Sequence, residues 1–499
     1  MNEKTDVDNH DNLTDQYSNQ SERRRYSAAV INLGCKVNRY ETDSMRKLMA
    51  DGGIELVEPD EIADFYIVNT CSVTNIAERK SRQMLRRAKR RNPSAVVIAA
   101  GCYVNAAHDE LLKLDFVDAV IGNDKKKNIM DVLNKYMITD GNDNAALKTP
   151  FKHVGNKKED IYIGIDRSDE FEEMGPLSAS YLDHRRAYIK IQDGCNQFCS
   201  YCIIPYTRGR IRSRDPENII KEITGMANSG VQEFVLTGIH ISSYGMDFNN
   251  DSRLDDKCDV KELGDLICEV AKIPEVKRIR LGSLEPRIIT PDFLDKIAGV
   301  DKLCPHFHLS LQSACNETLK RMNRKYSIEE YMECVGLLRK YYDRPAITTD
   351  VIVGFPGETE NEFSITLNNL KKLSLYEIHV FKYSVRRGTV ASKLPDQVPE
   401  NVKNDRSDIL LELTAKQKKE YEASLAGLED EVLIEEAIKS VDEKKYNYEN
   451  GIADNYELND NDYIHDENAT IFTGYTKRYV RVNLESEGDI VGEIITYTF

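Results

Sequence analysis

The chain has 499 residues, of which 40% are hydrophobic and 30% are charged, and its formal net charge is −16. A chain of this length is expected to form about three domains with substantial cores. Its acidity argues against a non-specific coat on nucleic acid, and we expect no DNA partner, but a local basic surface stays possible.

The cysteines and the hydropathy pattern limit the protein class further. No run is apolar and long enough to span a bilayer, and the start carries no signal-peptide pattern, so we expect a cytoplasmic protein without a membrane partner. The chain has 11 cysteines, an odd number, and its sequence shows no secretion signal. Free, metal-bound or catalytic thiols are therefore expected rather than disulfides.

The first domain is predicted to be a parallel α/β sheet. Residues 1–25 are polar without apolar periodicity and are predicted to be a disordered tail. Residues 26–139 then alternate strand-like and helical patterns, as parallel sheets require. Cys35, Cys71 and Cys102 each follow an apolar run, in SAAVINLGC, ADFYIVNTC and AVVIAAGC. Because ligands bind at the carboxyl ends of parallel strands, we expect the three thiols at one sheet edge.

The rest of the chain predicts two more domains, so the fold class is α/β overall with a final β module. Residues 140–180 are predicted to be a linker. Residues 181–412 hold six strand-like runs separated by helical segments, which predicts an incomplete, six-unit version of the (β/α)8 barrel with its site at the strand C-termini. Residues 413–499 continue a charged helix into short strands, which predicts a small β-barrel interrupted by an acidic insertion at about 440–468.

The loop after the first barrel strand, DGCNQFCSYCIIPYTRGR, carries Cys195, Cys199 and Cys202. A structural zinc site would need a fourth cysteine or histidine nearby, and none follows within the next thirty-odd residues. A redox pair would need only two thiols. Three thiolates on a short loop suit a four-iron cluster that keeps one iron open. Structural zinc and incidental cysteines are the alternatives.

This spacing, with Tyr201 before the last cysteine and a six-unit barrel around it, resembles the radical S-adenosylmethionine enzymes. The resemblance implies that Cys195, Cys199 and Cys202 hold a 4Fe-4S cluster. Its open iron would bind the amino and carboxylate groups of S-adenosylmethionine. The cluster would then pass one electron to the sulfonium and release a 5′-deoxyadenosyl radical.

Further motifs resemble one family within that superfamily, the methylthiotransferases. They are NLGCKVNRYET, VNTCSVTNIAERKSR and AAGCYVN, and the likeness runs from about residue 28 to the C-terminus. LGCKVN and PDQVP (395–399) favour the branch acting on N6-threonylcarbamoyladenosine in tRNA. The family implies that Cys35, Cys71 and Cys102 hold an auxiliary 4Fe-4S cluster whose open site carries sulfur. The plainer alternative is three buried core cysteines.

Polar residues and glycines at the barrel strand ends are the expected contacts of S-adenosylmethionine, although each alone fits ordinary turn chemistry. Glycine allows close approach of a ligand to the backbone. The expected contacts are Gly238, Ser283, Glu285, Gln312, Ser313, Asp350 and Gly354.

Basic residues in three segments are expected to contact RNA phosphates. The first segment is a predicted helix whose residues 79, 82, 86 and 90 share a face. The second is YTRGRIRSR beside the cluster loop, and the third is GYTKRYVRV, which resembles the RNA-binding TRAM domain. The alternative for the helix is a solvated charged face. The expected contacts are Arg86, Arg90, Arg208, Arg210, Arg212, Arg214, Lys477 and Arg478.

Together these resemblances imply an enzyme that methylthiolates C2 of N6-threonylcarbamoyladenosine beside the tRNA anticodon. It would use two 4Fe-4S clusters and S-adenosylmethionine, which serves as methyl donor and radical source. A low-potential electron donor of the flavodoxin or ferredoxin type is also expected. The alternatives are another methylthiotransferase substrate, namely isopentenyladenosine in tRNA or an aspartate of a ribosomal protein, and a non-catalytic iron–sulfur protein that binds tRNA.

Overall fold

A computed structural model describes residues 25–137, 159–160, 170–179, 186–248, 260–438 and 470–499. The predicted tail (apart from Arg25), most of the predicted linker, and the acidic insertion lie outside these residues. Within them, no helix is long and apolar enough to cross a membrane.

The N-terminal domain is the predicted parallel α/β sheet, with six strands in the order β2-β1-β3-β4-β5-β6. The strands are β1 (Ser27–Asn32), β2 (Glu55–Val57), β3 (Phe65–Thr70), β4 (Val96–Gly101), β5 (Ala119–Ile121) and β6 (Glu159–Asp160). The helices are α1 (Lys36–Asp51), α2 (Asn75–Arg91), α3 (Cys102–Leu112) and α4 (Ile129–Asn134). Strand β6 lies within the segment predicted to be a linker.

The second domain is the predicted six-stranded partial barrel. Its parallel strands are β7 (Arg186–Asp193), β9 (Glu233–Gly238), β10 (Arg278–Leu281), β11 (His306–His308), β12 (Ala346–Val353) and β13 (Glu377–Lys382), and the short β8 (Arg212–Ser213) runs antiparallel to β7. Backbone hydrogen bonds from Leu284 to His308 (2.8 Å) and from Ser310 to Leu284 (3.0 Å) join β10 to β11.

Helices cover the outside of this barrel. They are α5 (Ile204–Thr207), α6 (Pro216–Asn228), α7 (Leu263–Ala271), α8 (Pro291–Ile297), α9 (Asn316–Arg321), α10 (Ile328–Tyr341), α11 (Glu360–Leu373) and α12 (Glu400–Ser424). Alternate strand residues such as Ala187 and Ile189 pack into the main core with these helices. The strand residues that alternate with these core residues therefore face the barrel interior. On β7 they include Arg186 and Lys190, so the interior is polar.

The C-terminal domain is a curled antiparallel sheet in the order β16-β15-β14-β17. Its strands are β14 (Glu429–Ile438), β15 (Thr470–Thr476), β16 (Arg481–Ser486) and β17 (Ile494–Thr498). The turn after β15 packs against the amino ends of the barrel strands. There the guanidinium of Arg280 donates to the backbone oxygens of Thr476 and Lys477, both at 3.1 Å. The sheet thus sits at the barrel end opposite the cysteine loop.

Candidate cluster site and substrate groove

The first cysteine triplet lies on the loop that follows β7. The Cys195 backbone N–H donates to Gly209 (3.1 Å), and the Cys202 N–H donates to Cys199 (3.0 Å), so the loop folds back on itself. Burial, with the nearby charge of Cys199, raises the pKa of the Cys202 thiol to about 12. Burial, with the charge of Cys199, also raises the pKa of the Cys195 thiol.

The second triplet lies at one edge of the N-terminal sheet. Cys35 immediately precedes α1, Cys71 follows β3, and Cys102 is the first residue of α3 directly after β4. Gly34 has a φ of +106°, and a Cβ there would lie 3.0 Å from the sulfur of Cys71, so only glycine fits. Burial, with the charges of Cys102 and Cys35, raises the pKa of Cys71 to about 12. The three thiols therefore meet at this edge.

The spacing of the sulfurs fits a cluster better than a single zinc ion. Among the described residues, which include all six cysteines, neither triplet brings its three sulfurs within 4.8 Å of one another. Tetrahedral zinc with bonds of about 2.3 Å would require sulfurs about 3.8 Å apart. Three soft thiolates held wider than this suit an iron–sulfur cluster with an open iron.

The segment that follows the first triplet reaches the second triplet across the domain interface. Arg208 lies six residues beyond Cys202, yet its Nε is 3.3 Å from the sulfur of Cys102. The side-chain amide of Asn123 contacts the same sulfur at 3.5 Å and donates to the Thr207 backbone oxygen at 3.0 Å. The segment that follows the first triplet thus forms one wall of the second.

A buried ion-pair network fixes this interface. Arg208 donates to Glu41 (2.8 Å) and Asp193 (3.1 Å), and Lys190 pairs with the same two carboxylates at 2.8 and 2.6 Å. Lys126 also pairs with Glu41. Although burial opposes it, these cations hold the pKa of Glu41 well below its usual value, so the carboxylate is charged.

The residues expected to contact S-adenosylmethionine occupy varied environments at the carboxyl ends of the strands. Ser283 is exposed, whereas Glu285 is buried, and the charge of Glu285 adds to burial in raising the pKa of Cys195. Gln312 adopts a left-handed backbone conformation with a φ of +70°. Ser313 is fully buried, and its hydroxyl oxygen accepts a hydrogen bond from the Cys315 backbone N–H at 3.3 Å. This hydroxyl therefore stabilises a turn.

The two glycines of this set are required by close packing. A Cβ at Gly238 would lie 2.9 Å from the Gln192 backbone oxygen. Gly354 has a φ of +70°, and its N–H donates to Glu358 at 2.7 Å. Both positions therefore keep the chain close to its neighbours at the barrel end.

Asp350 belongs to a polar cluster inside the barrel that the sequence analysis missed. His308 lies 3.4 Å from its carboxylate and stacks on His379, with ring centroids 5.6 Å apart. Ligand atoms of these three residues all lie within 4.8 Å of one another. The signal was available, since His308, Asp350 and His379 occupy inward positions on three adjacent strands. These three side chains give the barrel interior hydrogen-bond donors and a carboxylate acceptor.

The arginines expected to bind RNA divide into exposed and buried groups. Arg86 and Arg90 of α2 are exposed, as is Arg210, whose guanidinium lies 4.8 Å from the centre of the Phe198 ring. Arg208, Arg212 and Arg214, by contrast, are buried and paired with carboxylates. Buried paired guanidinium groups are not available to phosphates, so we assign these three to the interface instead.

The two cations expected in the C-terminal domain contact the protein itself. Lys477 pairs with Glu431 at 2.9 Å, and Arg478 pairs with Asp430 at 3.0 Å and donates to the backbone of Asp343 and Arg344. Both lie in the turn that packs near the barrel. Any RNA contact by this domain would therefore draw on other side chains as well.

A groove of about 960 Å³ opens beside Cys35 on the N-terminal domain. Its floor includes Ile31 and Val57, and Tyr188 of the barrel borders it. The cations along its walls are Lys36, Arg39, Arg46, Lys80, Arg87 and Arg91. These residues come from α1 and from a face of α2 that the sequence analysis did not select. The groove thus offers an anionic ligand a path to the second triplet.

Two family models match the chain. The radical SAM superfamily matches residues 189–370, and the uncharacterized protein family UPF0004 matches residues 27–122. Each therefore covers one of the two domains that carry a cysteine triplet.

Curated relatives extend over most of the chain. A threonylcarbamoyladenosine tRNA methylthiotransferase MtaB of Bacillus subtilis (strain 168) is 36% identical over 94% of this chain and 92% of its own. The protein of the same name from Aquifex aeolicus (strain VF5) is 37% identical over 81% and 92%. A tRNA-2-methylthio-N(6)-dimethylallyladenosine synthase of Clostridium botulinum (strain Loch Maree / Type A3) is 36% identical over 83% and 86%.

A solved structure shares the fold. The radical S-adenosylmethionine methyltransferase TsrM from Kitasatospora setae, with cobalamin and a [4Fe-4S] cluster bound, aligns with a TM-score of 0.52 at 14% identity. The alignment covers 74% of this chain and 77% of that one. At this identity the likeness concerns the arrangement of the domains' helices and strands alone.

Proposed function

The chain belongs to the radical S-adenosylmethionine methylthiotransferases, and on that premise we propose that it methylthiolates C2 of N6-threonylcarbamoyladenosine in tRNA, next to the anticodon. The enzyme uses S-adenosylmethionine and two 4Fe-4S clusters, which supply the radical, the methyl group and the transferred sulfur. We propose Cys195, Cys199 and Cys202 as ligands of the radical-generating cluster. Cys35, Cys71 and Cys102 are the proposed ligands of the auxiliary cluster.

One observation carries the proposal: the segment that follows the first cysteine triplet packs directly against a sulfur of the second, in another domain. Arg208 and Asn123 link the segment after Cys202 to the sulfur of Cys102. A reaction that activates carbon at one centre and delivers sulfur from another needs both beside one substrate base. The groove at Cys35 opens beside the second triplet, where a substrate base would enter.

The choice of substrate within tRNA is supported by charge. The threonylcarbamoyl group ends in a carboxylate, whereas a dimethylallyl group is apolar. Lys36 follows Cys35 directly and lines the groove, and its ammonium group makes no hydrogen bond to any residue the structure describes. Burial, with the charges of Arg186 and Arg280, lowers the pKa of Lys36 to about 8, so a carboxylate partner would stabilise its charged form.

We propose that the groove contacts the phosphates of the tRNA, because six cations line it close to the proposed auxiliary cluster. We further propose a cytoplasmic location and a flavodoxin- or ferredoxin-type protein as the electron donor. Both follow from the chemistry proposed for the enzyme.

The direct test is mass spectrometry of tRNA nucleosides. The gene would be expressed in a bacterial host that lacks its own methylthiotransferases, with a Cys199→Ala variant as the matched control. We expect 2-methylthio-N6-threonylcarbamoyladenosine to form with the natural chain only. Formation of the methylthio-dimethylallyl nucleoside instead would assign the other tRNA branch. Formation of neither, from protein that retains its iron, would reject tRNA methylthiolation.

A further inference from the structure

Each cysteine triplet has one member that receives a guanidinium hydrogen bond. The Nε of Arg208 lies 3.3 Å from the sulfur of Cys102, and the Nη1 of Arg324 lies 3.3 Å from the sulfur of Cys199. The two arginines come from different parts of the barrel domain. The same chemical arrangement is therefore built twice, once for each site.

Hydrogen bonds from the remaining nitrogens hold both guanidinium groups in place. Arg208 is fully buried and also donates to Asn38 (2.8 Å), Glu41 (2.8 Å) and Asp193 (3.1 Å). Its planar fork has fixed geometry, so these acceptors leave the Nε–H directed at the sulfur.

Arg324 is held in a similar way by uncharged acceptors. Its Nε donates to the Tyr326 hydroxyl at 2.9 Å, and its Nη2 donates to the Ser310 backbone oxygen at 3.1 Å. Its contacts within the described chain include no carboxylate. The positive charge beside Cys199 is therefore not neutralised by an adjacent anion.

The charges around Cys102 also favour a thiolate-bound cluster. Arg208, Lys126, Lys190 and Arg212 form ion pairs with two buried carboxylates, Glu41 and Asp193. In these ion pairs the cations outnumber the carboxylates, and one of the cations, Arg208, contacts the sulfur directly. A cluster held by three thiolates supplies the complementary negative charge.

We propose that Arg208 and Arg324 are positioning residues that set the reduction potential of the auxiliary and the radical-generating cluster, respectively. Hydrogen bonds to cluster sulfurs and nearby positive charge stabilise the reduced, more negative state. Each arginine raises the midpoint potential of its own cluster and leaves the other unchanged. The inference rests on the proposed cluster ligands.

The test measures each cluster separately in the full-length protein. Replacing Cys195, Cys199 and Cys202 with alanine leaves the auxiliary cluster alone, and replacing Cys35, Cys71 and Cys102 leaves the radical-generating cluster alone. Arg208→Lys and Arg324→Lys would be introduced into both backgrounds, and redox titrations would be followed by electron paramagnetic resonance. Arg387→Gln, at an arginine of the same domain whose side chain is 93% exposed, is the matched control.

We expect each lysine variant to lower the midpoint potential of its own cluster only. A tenfold change in the one-electron reduction equilibrium corresponds to about 59 mV, which such titrations resolve. Asn123→Ser is a second, milder variant and is expected to shift the auxiliary cluster alone, since Asn123 also contacts Cys102.

The outcomes separate this inference from the proposed function. Full iron loading with unchanged potentials, or equal shifts of both clusters by either variant, would overturn the roles of the arginines while leaving the clusters in place. Absence of iron from the unsubstituted protein would instead overturn the proposed ligands.

Discussion

Lys36 is the residue whose replacement would test substrate choice most directly. We expect Lys36→Gln to lower kcat/KM on tRNA that carries N6-threonylcarbamoyladenosine by about 10- to 100-fold, because a hydrogen bond to a charged group contributes about 1.5–3 kcal/mol. Lys36→Arg keeps the charge and should retain more activity. Since Lys36 adjoins Cys35, iron content must be equal in all three proteins. Equal rates with the glutamine variant would exclude a carboxylate contact.

His240, beside the expected S-adenosylmethionine contacts, should make the protein sensitive to acid. Burial, with the charge of Arg324, lowers the pKa of His240 to about 4 from its ordinary value near 6.5. Between these values the unfolded chain binds a proton that the folded chain does not, so stability falls as pH drops through this window. We expect His240→Asn to lose less stability than the natural chain between pH 7 and pH 5, as measured by urea midpoints. Parallel curves would contradict this.

At the same scale, the arginines of YTRGRIRSR show what a short motif leaves undetermined. Their alternating spacing beside the cluster loop indicated contacts with RNA phosphates. Only Arg210 is exposed, however, because Glu41, Asp193 and Glu222 reach the others from distant segments. Periodicity cannot reveal which buried carboxylates a fold will supply. The six cysteines that we propose as cluster ligands, by contrast, stand out in the sequence because of their spacing and their position after strands.

At the scale of elements, the six barrel strands were predictable because apolar residues either alternate with polar ones, as in β7 and β10, or form a short run, as in β9 and β12. Strands β2 and β6 were not predicted, because β2 has only two apolar residues and β6 has none. Helix α3 starts directly at Cys102 without a side-chain cap, so it gave no start signal. Helix α12 continues through the predicted boundary at 412, because helical periodicity does not mark where one domain ends.

A buried carboxylate lies at the contact between the C-terminal sheet and the barrel. Glu233 pairs with Arg278 (2.8 Å) and Arg280 (3.0 Å), and these arginines hold the backbone of the turn at 475–477. We expect Glu233→Gln to cost about 3–5 kcal/mol in unfolding free energy, since it leaves buried cations without their partner. Chemical denaturation followed by tyrosine fluorescence would measure it.

The matched control for that change is Glu431→Gln. Glu431 pairs with Lys477 in the same region but its side chain is 46% exposed. Such an exposed pair contributes at most about 1 kcal/mol. If both variants lost the same stability, the buried network would not be what holds the sheet to the barrel.

At the scale of the whole molecule, two clusters fix the metal content. We expect about eight iron atoms per chain in anaerobically prepared protein and about four after replacement of either triplet by alanine, assuming four irons per cluster. Iron and sulfide assays on the same samples measure this. About four iron atoms in the natural chain would mean that it holds one cluster rather than two. That the segment after Cys202 reaches Cys102 was not predictable, since it depends on how separate domains pack.

The contact between Arg208 and Cys102 also bears on biogenesis. The two residues are separated by 106 positions, so the N-terminal domain leaves the ribosome well before Arg208 does. While the chain is being made, the pocket around Cys102 lacks both its directed donor and the Lys190–Asp193 pair from β7. The auxiliary site is therefore completed only when the barrel folds against it, and an N-terminal fragment ending before residue 186 would retain its cluster poorly.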